Sequence, residues 1–352
     1  MPTGFRMAVS DQETQSFANL PWWDLLQDEE LRRLIRIALA ENKDLQRAVA
    51  SVEEFQSRLL ISKMDFAPKA DVTANAPSFG RKANFLFPGF PNPFNYYLQG
   101  NLSWELDIWG RVRRSNEAAR GDLLAREEAR RAVVLQLVSG VAEAYFELLQ
   151  FDMQLGVAQR TLKSWEESVR IAEARLRQGM ISRIDADQFE AERANAAARA
   201  AELTRQMVQK ENQLSILLGR PPGQVARGRS LTEQVLPPEV PAGLPSELLQ
   251  RRPDLVQAEQ ELAAATARIG VAKADRFPKL SITGILGVAS PQFSRLIANE
   301  TAFGVVGPGL AGPLLNAQIL GFQQDAAEAQ GREVLARYEQ AVLVAFREVE
   351  DA

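Results

Sequence analysis

Two acidic residues, Asp185 and Asp187, are the first candidates for chemistry in this sequence, because paired carboxylates can act as general acid and base. They lie two positions apart at the start of a predicted helix, where residues at this spacing do not face each other. Ser182 precedes Asp185 by three residues, which is the spacing of a capping box. The pattern therefore favours helix capping over catalysis. A ring of such acids at a pore mouth would also have an electrostatic effect.

A second motif, at residues 307–312, fits the pattern G-x-G-x-x-G of dinucleotide-binding turns. That turn needs backbone N–H groups that donate to phosphate oxygens. Pro308 lies within the motif and Pro313 follows it, and each removes one such donor. We therefore do not expect a nucleotide cofactor.

The composition removes most other kinds of site. The 352 residues include no Cys and no His, which excludes disulfides, cysteine nucleophiles, Ser-His-Asp triads and zinc sites built on those residues. A formal net charge of −4 argues against a nucleic-acid partner. No phosphate loop, nucleophile elbow or metal-ligand spacing is found in the sequence. We expect no catalytic residue, no metal and no cofactor.

The two aspartates lie on a long helical hairpin, which is the largest predicted element. No Pro occurs between Pro93 and Pro221, and residues 111–218 are predicted to be helical except for one break around Gly179. At about 1.5 Å per residue the first helix alone would be roughly 100 Å long. Gly179 suits the left-handed residue after a helix, and Ser182 begins the next helix at once. The sequence predicts two antiparallel helices joined by a very short turn.

The first helix of the hairpin has an apolar seam that weakens toward the turn. Its middle follows the 4-3-4-3 spacing of coiled coils with Val134, Val138, Val141, Tyr145 and Leu148. Beyond them only every seventh position stays apolar, and polar residues such as Asp152 and Glu166 lie between. The second helix has an Ala-rich middle, 194–201, which permits close packing. A half-polar seam suits a helix that lines water, although an ordinary coiled-coil rod has the same features.

A β-rich region precedes the hairpin. Residues 96–108 alternate strictly between apolar and polar, which predicts a strand with one apolar and one wet face. The segment exceeds the about 9–11 residues with which a tilted strand crosses a bilayer, but a half-buried strand in a soluble sheet fits equally well. Residues 70–79 form a weaker predicted strand, and 80–93 a loop. Trp104 and Trp109 are either interfacial anchors or core residues.

An internal repeat relates the two halves of the chain. At an offset of 210 positions Asp254 aligns with Asp44, and the match runs without gaps to Thr283 on Thr73. Helix, proline and strand recur in the same order, followed by a predicted third long helix from about Asn316. The predicted division is an N-terminal segment (1–43), a first repeat (44–218), a linker (219–245) and a second repeat (246–352) with strands at about 279–289 and 302–310.

Both ends of the sequence suggest a fragment. The first residues lack the apolar core of a signal peptide, which taken alone indicates the cytoplasm, and the last residues stop inside a predicted helix. No stretch reaches the uninterrupted apolar length of a membrane-spanning helix, since the best candidate, 133–149, includes Gln136, Glu143 and Glu147.

Six short motifs are spread over the whole chain. They are LPWWDL (20–25), WELDIWGR (104–111), RQGMISRID (177–185), LLGRPPG (217–223), LPSELLQRRPD (244–254) and ARIGVAKA (267–274). With these motifs the chain resembles TolC-type outer-membrane efflux channels, in particular the NodT/OprM-like outer-membrane factor lipoproteins. The resemblance implies a mainly α fold with a smaller β part, in which long antiparallel hairpins form a periplasmic α-barrel. It also implies a homotrimer in which each subunit gives four strands to a twelve-stranded transmembrane β-barrel.

The resemblance assigns roles to particular residues. The tip turn, defined here as Gln178, Gly179, Met180, Ile181 and Ser182, would dock a periplasmic adaptor protein, and Asp185 would lie near the pore entrance. If the interfacial interpretation of Trp104 and Trp109 given above holds, these residues are expected to anchor membrane strands in contact with outer-membrane lipid. The family's signal peptide, lipid-bearing Cys and second tip hairpin have no counterpart in these residues, so we expect that the chain alone would not close a complete helical tube.

The implied function is a passive exit duct of a tripartite efflux system, located in the Gram-negative outer membrane and extending into the periplasm. An inner-membrane pump of the RND type would power the export of small molecules such as drugs and toxic compounds. The alternative is a soluble coiled-coil scaffold or adaptor without transport activity. The alternating strand and its repeated counterpart favour the channel.

Overall fold

The computed structural model describes residues 27–76, 96–235, 251–298, 301–313 and 317–351. These residues are mainly helical, with one four-stranded antiparallel sheet. The helices are α1 (Glu29–Glu41), α2 (Lys43–Met64), α3 (Arg111–Arg177), α4 (Arg183–Leu217), α5 (Pro253–Ala274) and α6 (Ala317–Asp351). The strands are β1 (Lys69–Asn75), β2 (Tyr96–Leu106), β3 (Lys279–Ser290) and β4 (Ala302–Ala311).

Several sequence expectations fall outside the described residues. They are the motif at 20–25, the loop at 80–93, the end of the first strand at 77–79, the segment 244–250 and the predicted helix start at Asn316. The linker expected at 219–245 is described as far as residue 235, and there it is irregular except for one short 3-10 turn at Leu231–Glu233.

The chain forms two compact units, and the first comprises Met1–Ala50, Ala129–Leu248 and Glu348–Ala352. The described part of its core lies among α1, α3, α4 and the linker, and its fully buried side chains include Leu31, Ile35, Val141, Tyr145, Leu148 and Leu214. Three of these residues belong to the predicted coiled-coil seam. Nearer the turn a smaller cluster of Ala158, Ala200 and Leu203 brings α3 and α4 together.

Among the described residues, α3 is the one helix with a window long and apolar enough to cross a membrane by composition. The expectation from the sequence concerned an uninterrupted apolar stretch, and Gln136, Glu143 and Glu147 do interrupt this part of α3. The apolar character has a packing explanation, because Leu137, Val141 and Leu148 lie in the core of the first unit. One such helix is weak evidence for a membrane span.

The second unit comprises Ser51–Glu128 and Leu249–Arg347 and contains the sheet, in the order β1-β2-β3-β4. The repeat is visible in its side chains. Lys69 Nζ lies 2.7 Å from Asp65 Oδ1, and at the same offset Lys279 Nζ lies 3.1 Å from Asp275 Oδ1. Each pair bridges the corner where a helix gives way to a strand.

Strand β2 ends at Leu106, so the prediction that it continues to Ile108 is wrong. The cause is Asp107, whose carboxylate accepts hydrogen bonds from the backbone N–H groups of Val112 (2.8 Å) and Arg113 (3.0 Å). These donors are unpaired first-turn groups of α3, and capping them draws the chain out of the sheet. Gly110 completes the connection with a φ of +77°.

The glycine motif at 307–312 does not form a phosphate-binding turn. Its first residues belong to β4, where Gly307 pairs with Thr283 and Gly309 with Ser281 in an antiparallel ladder. A dinucleotide fingerprint needs a strand that turns into a helix at these glycines. The glycines therefore belong to the sheet.

Candidate functional site: the tip turn, the sheet and the linker

The tip turn joins α3 to α4 through a left-handed glycine. Gly179 has a φ of +71°, its N–H donates to Leu176 O (2.9 Å), and the N–H of Met180 donates to Arg175 O (2.9 Å). This pair of bonds is the Schellman motif, which satisfies the last carbonyl groups of a helix. A Cβ built on Gly179 would meet nothing within 4 Å, so the turn is open to solvent.

Asp185 caps the next helix together with Ser182. The Ser182 N–H donates to Asp185 Oδ2 (3.0 Å), and the Ser182 hydroxyl accepts from the Asp185 N–H (3.2 Å). The hydroxyl and N–H of Ser182 also hold the pKa of Asp185 below its ordinary value, so the exposed carboxylate stays ionised. Asp187 instead pairs with Arg183 at 3.0 Å. The two acids thus have separate partners, as expected for capping.

The tip turn and the first turn of α4 expose large apolar side chains. Met180 is 68% exposed and Ile184 is 73% exposed, and Ile181 is partly exposed between them. Gln178 and Ser182 add exposed polar groups on either side. A rigid, capped turn with solvent-exposed apolar side chains has the character of a protein-contact surface.

One face of the sheet is apolar across all four strands, except at one end, where Tyr96 pairs with Ser290. We call this face the outer face. The register places on it Ala70, Val72 and Ala74 of β1 and Leu98, Gly100, Leu102 and Trp104 of β2. In β3 it holds every second residue from Leu280 to Val288, and in β4 every second residue from Ala302 to Leu310. Val72, Leu286 and Val306 are each more than 70% exposed. A broad apolar face of this kind is typical of strands that face lipid.

The two tryptophans lie at corners between helices and strands. The indole N–H of Trp104 donates to Phe66 O (2.9 Å), and that of Trp109 donates to Pro278 O (2.7 Å). Trp109 also stacks on Phe277 at a centroid distance of 4.8 Å and remains 50% exposed. Both indole N–H groups therefore have backbone partners, and Trp109 keeps half of its surface exposed.

The sequence also matches a family model. The model is that of the outer membrane efflux protein family, and the match covers residues 34–220 and 244–352 of this chain. The chain belongs to this family. It is therefore an outer membrane efflux protein of the Gram-negative type.

Relatives and solved structures agree with this membership. The toluene efflux pump outer membrane protein TtgC of Pseudomonas putida is 32% identical over 353 residues, which cover 99% of this chain and 73% of TtgC. The cation efflux system protein CusC of Escherichia coli is 32% identical over 345 residues, which cover 96% of this chain and 73% of CusC. The open state of the Neisseria gonorrhoeae MtrE outer membrane channel matches with a TM-score of 0.84 at 30% identity, covering 100% of this chain and 78% of that one.

The first unit of this efflux protein contains a buried carboxylate that the sequence analysis missed. Asp28 is 2% exposed, and it accepts hydrogen bonds from Tyr145 (3.1 Å), Gln234 (2.7 Å) and the backbone N–H of Arg229 (3.2 Å). Burial alone would raise the pKa of Asp28, but the bonds from Gln234, Leu31, Tyr145 and Arg229 together lower it, so Asp28 stays ionised. Asp28 also caps α1, and that local role is readable from its position before Glu29.

Tyr145 is the donor that connects this carboxylate to α3. Its ring is fully buried, and burial raises the pKa of its phenol to about 12, so the hydroxyl keeps its proton and donates to Asp28. The same oxygen accepts the backbone N–H of Gly228 at 2.9 Å. The linker is therefore held to the helices by its backbone, which explains how an irregular segment is fixed in place.

Arg227 holds the linker to the hairpin through two acids. Its guanidinium pairs with Asp152 of α3 (2.9 Å) and with Glu211 of α4, whose side chain is 8% exposed. Glu211 also accepts from the backbone N–H of Val225 at 3.3 Å. Asp152 is one of the polar positions of the predicted half-polar seam, and its carboxylate accepts two hydrogen bonds from Arg227. We call Asp28, Tyr145, Asp152, Glu211 and Arg227 the linker clasp.

Proposed function

We propose that three copies of this efflux protein assemble into a passive exit duct for small molecules, without a catalytic step. The observation that carries the proposal is the apolar outer face of the sheet in a member of an outer-membrane family. Within the described residues β1 and β4 are the two edges of the sheet. Backbone groups at open edges cannot remain unpaired in lipid, and pairing β1 with β4 of a neighbour would close a barrel of twelve strands.

We further propose that the partners are a periplasmic adaptor, an inner-membrane pump of the RND type and outer-membrane lipid. The tip turn, Gln178 to Ser182, would be the adaptor-docking surface and Asp185 would lie at the pore entrance, while Trp104 and Trp109 would anchor the strands. The repeat boundaries at 44–218 and 246–352 belong to the same proposal and are supported by the matching Lys69–Asp65 and Lys279–Asp275 pairs. The names of relatives refer to toluene and to cations, so membership alone selects no substrate class.

The test is ion conductance of the full-length protein in a planar lipid bilayer, where we expect discrete channels. Leu286→Arg places a charge on the outer face and is expected to prevent insertion, since a charge facing lipid costs about 2–4 kcal/mol at mid-bilayer. The matched control is Ile285→Arg, which places the same charge on the opposite face of the same strand and should still give channels. A water-soluble monomer without conductance would support the coiled-coil scaffold instead.

A second test addresses the tip turn. Gly179→Glu adds bulk and charge where the turn is open, and we expect at least ten-fold weaker co-purification of the periplasmic adaptor, with unchanged channel conductance. Gly179→Ala is the matched control, because it imposes the same left-handed strain without bulk or charge. If Gly179→Glu abolishes assembly of the channel itself, the turn has only a structural role.

A further inference from the structure

The inner face of the sheet, opposite the apolar outer face, has two halves of different chemistry. One row of residues crosses all four strands on this face, in the order Asp71, Asn101, Ile285 and Val305. The half on β1 and β2 is therefore polar. The other half is apolar on β4 and from Ile285 onward in β3, whereas the start of β3 places Lys279, Ser281 and Thr283 on this face. Strict alternation predicts one polar face for β2, but only the register shows which residues of β3 and β4 continue it.

The polar half is organised around Asp71. Asn101 Nδ2 donates to Asp71 Oδ2 (2.7 Å) and to Thr73 Oγ1 (3.1 Å), and Gln99 Nε2 donates to Asn101 Oδ1 (3.0 Å). Other charged groups on this face are paired, since Lys69 contacts Asp65, Lys279 contacts Asp275 and Glu105 contacts Arg111. Asp71 has no ion pair with any described residue, so its negative charge is available to a solute.

The apolar half is bare and exposed. Val305 is 69% exposed, and Ile285 and Phe303 are each more than one-third exposed. From Ile285 onward in β3, and along all of β4, the other residues on this face are Gly287, Ala289, Gly307, Gly309 and Ala311. A Cβ on Gly307 would meet nothing within 4 Å, which leaves open space beside Val305. Exposed apolar surface without cover is available for contact with an apolar solute.

We propose that this row is a transient binding site for amphiphilic organic cations on their way through the duct. The cationic group would approach Asp71 and the apolar body would lie on Ile285 and Val305. Strands are about 4.8 Å apart, so three spacings separate Asp71 from Val305 by about 14 Å, the length of a drug-sized molecule. The site rests on the proposed function, which makes this face the lumen of the barrel. Because the site is open on one side, bound solutes would leave it readily, as transport requires.

The experiment measures block of single-channel current by ethyl-, hexyl- and decyltrimethylammonium ions. With the unmodified protein we expect the blocking constant to improve by about two-fold per added CH₂, less than the roughly four-fold that full burial would give. Val305→Ser should weaken decyltrimethylammonium block about five-fold and leave ethyltrimethylammonium block unchanged. Val305→Ala is a second variant, which introduces no polar atom and should also weaken the block by decyltrimethylammonium. Asp71→Asn should weaken block by all three ions about equally.

The matched control is Val306→Ser, at the adjacent residue on the outer face with nearly the same exposure, 71%. We expect Val306→Ser to leave block unchanged. Equal effects of the two serine variants, or block that does not depend on chain length in a conducting channel, would overturn the site while leaving the duct intact. Absence of conductance in the unmodified protein would overturn both the duct and the site.

Discussion

Gly219→Ala is expected to destabilise the first unit by about 4 kcal/mol or more, the size of effect that only a few mechanisms produce. Gly219 follows α4 in a second Schellman turn, with a φ of +71°, and the N–H of Arg220 donates to Ser215 O at 2.9 Å. A Cβ on Gly219 would lie 2.3 Å from Glu41 O and 2.7 Å from the carbonyl carbon of the same residue. Backbone atoms cannot move aside as a flexible side chain can, so α1 and α4 would separate.

Gly179→Ala separates the steric effect from the conformational one. Gly179 also has a φ of +71°, yet nothing lies within 4 Å of the position of an added Cβ. The left-handed conformation alone should therefore lower the free energy of unfolding of this variant by about 1–2 kcal/mol. Thermal unfolding in detergent, followed by circular dichroism, would compare the two variants with the unmodified protein. Proteolysis near Glu41 would report local opening in Gly219→Ala. Equal losses of stability in both variants would contradict the close approach of Gly219 to Glu41.

Arg227→Met is expected to cost about 2–4 kcal/mol, somewhat below the 3–5 kcal/mol or so of a fully buried pair because Arg227 is one-quarter exposed. The substitution retains an apolar stem but leaves the carboxylates of Asp152 and Glu211 without their cation. The loss of its cation should destabilise the protein more at Glu211 than at Asp152, because the Glu211 side chain is only 8% exposed and water cannot replace the lost partner. The measurement is denaturant unfolding of the first unit, monitored by Trp165 fluorescence or amide exchange in α4.

Arg220→Met provides the matched control. Arg220 also forms a bidentate salt bridge, with Glu41 at 3.0 and 3.1 Å, but both side chains are nearly half exposed. Solvent screens such a pair, so its loss should destabilise the protein much less than the loss of the Arg227 pairs. Adding Glu211→Gln to Arg227→Met should restore part of the stability by removing the uncompensated charge. Equal effects of Arg220→Met and Arg227→Met would show that burial does not govern the contribution of the linker clasp.

Short-range features were predictable from the sequence because their partners are only a few residues apart. The tip turn needs a residue with positive φ at Gly179, and the cap needs Ser182 three positions before Asp185, so spacing alone identifies both. The alternation in β2 likewise marks a strand with two different faces. The repeat and the motifs extended this local reading to a family, which the match over 34–220 and 244–352 confirmed.

The predictions from the sequence were wrong or incomplete where a side chain forms hydrogen bonds with a different helix, strand or loop. Ile108 has the right polarity for β2, but the strand ends two residues earlier, because the Asp107 carboxylate accepts capping hydrogen bonds from the first-turn N–H groups of α3. Asp152 lies at a polar position of the predicted seam, and nothing near it in the sequence indicates that its partner is Arg227, 75 residues later. Tyr145 donates to Asp28 across 117 residues, and no local pattern indicates that pair.

The sequence by itself determined the helical hairpin, its turn, the alternating strands and the family, because each depends on propensity and periodicity within a short window. Only the tertiary structure decided the linker clasp and the row from Asp71 to Val305. Both depend on which backbones lie side by side, and a strand register that slips by one residue moves every side chain to the opposite face. The pairing of Asn101 with Ile285 and of Ile285 with Val305 thus places an apolar surface on the same face of the sheet as the carboxylate of Asp71.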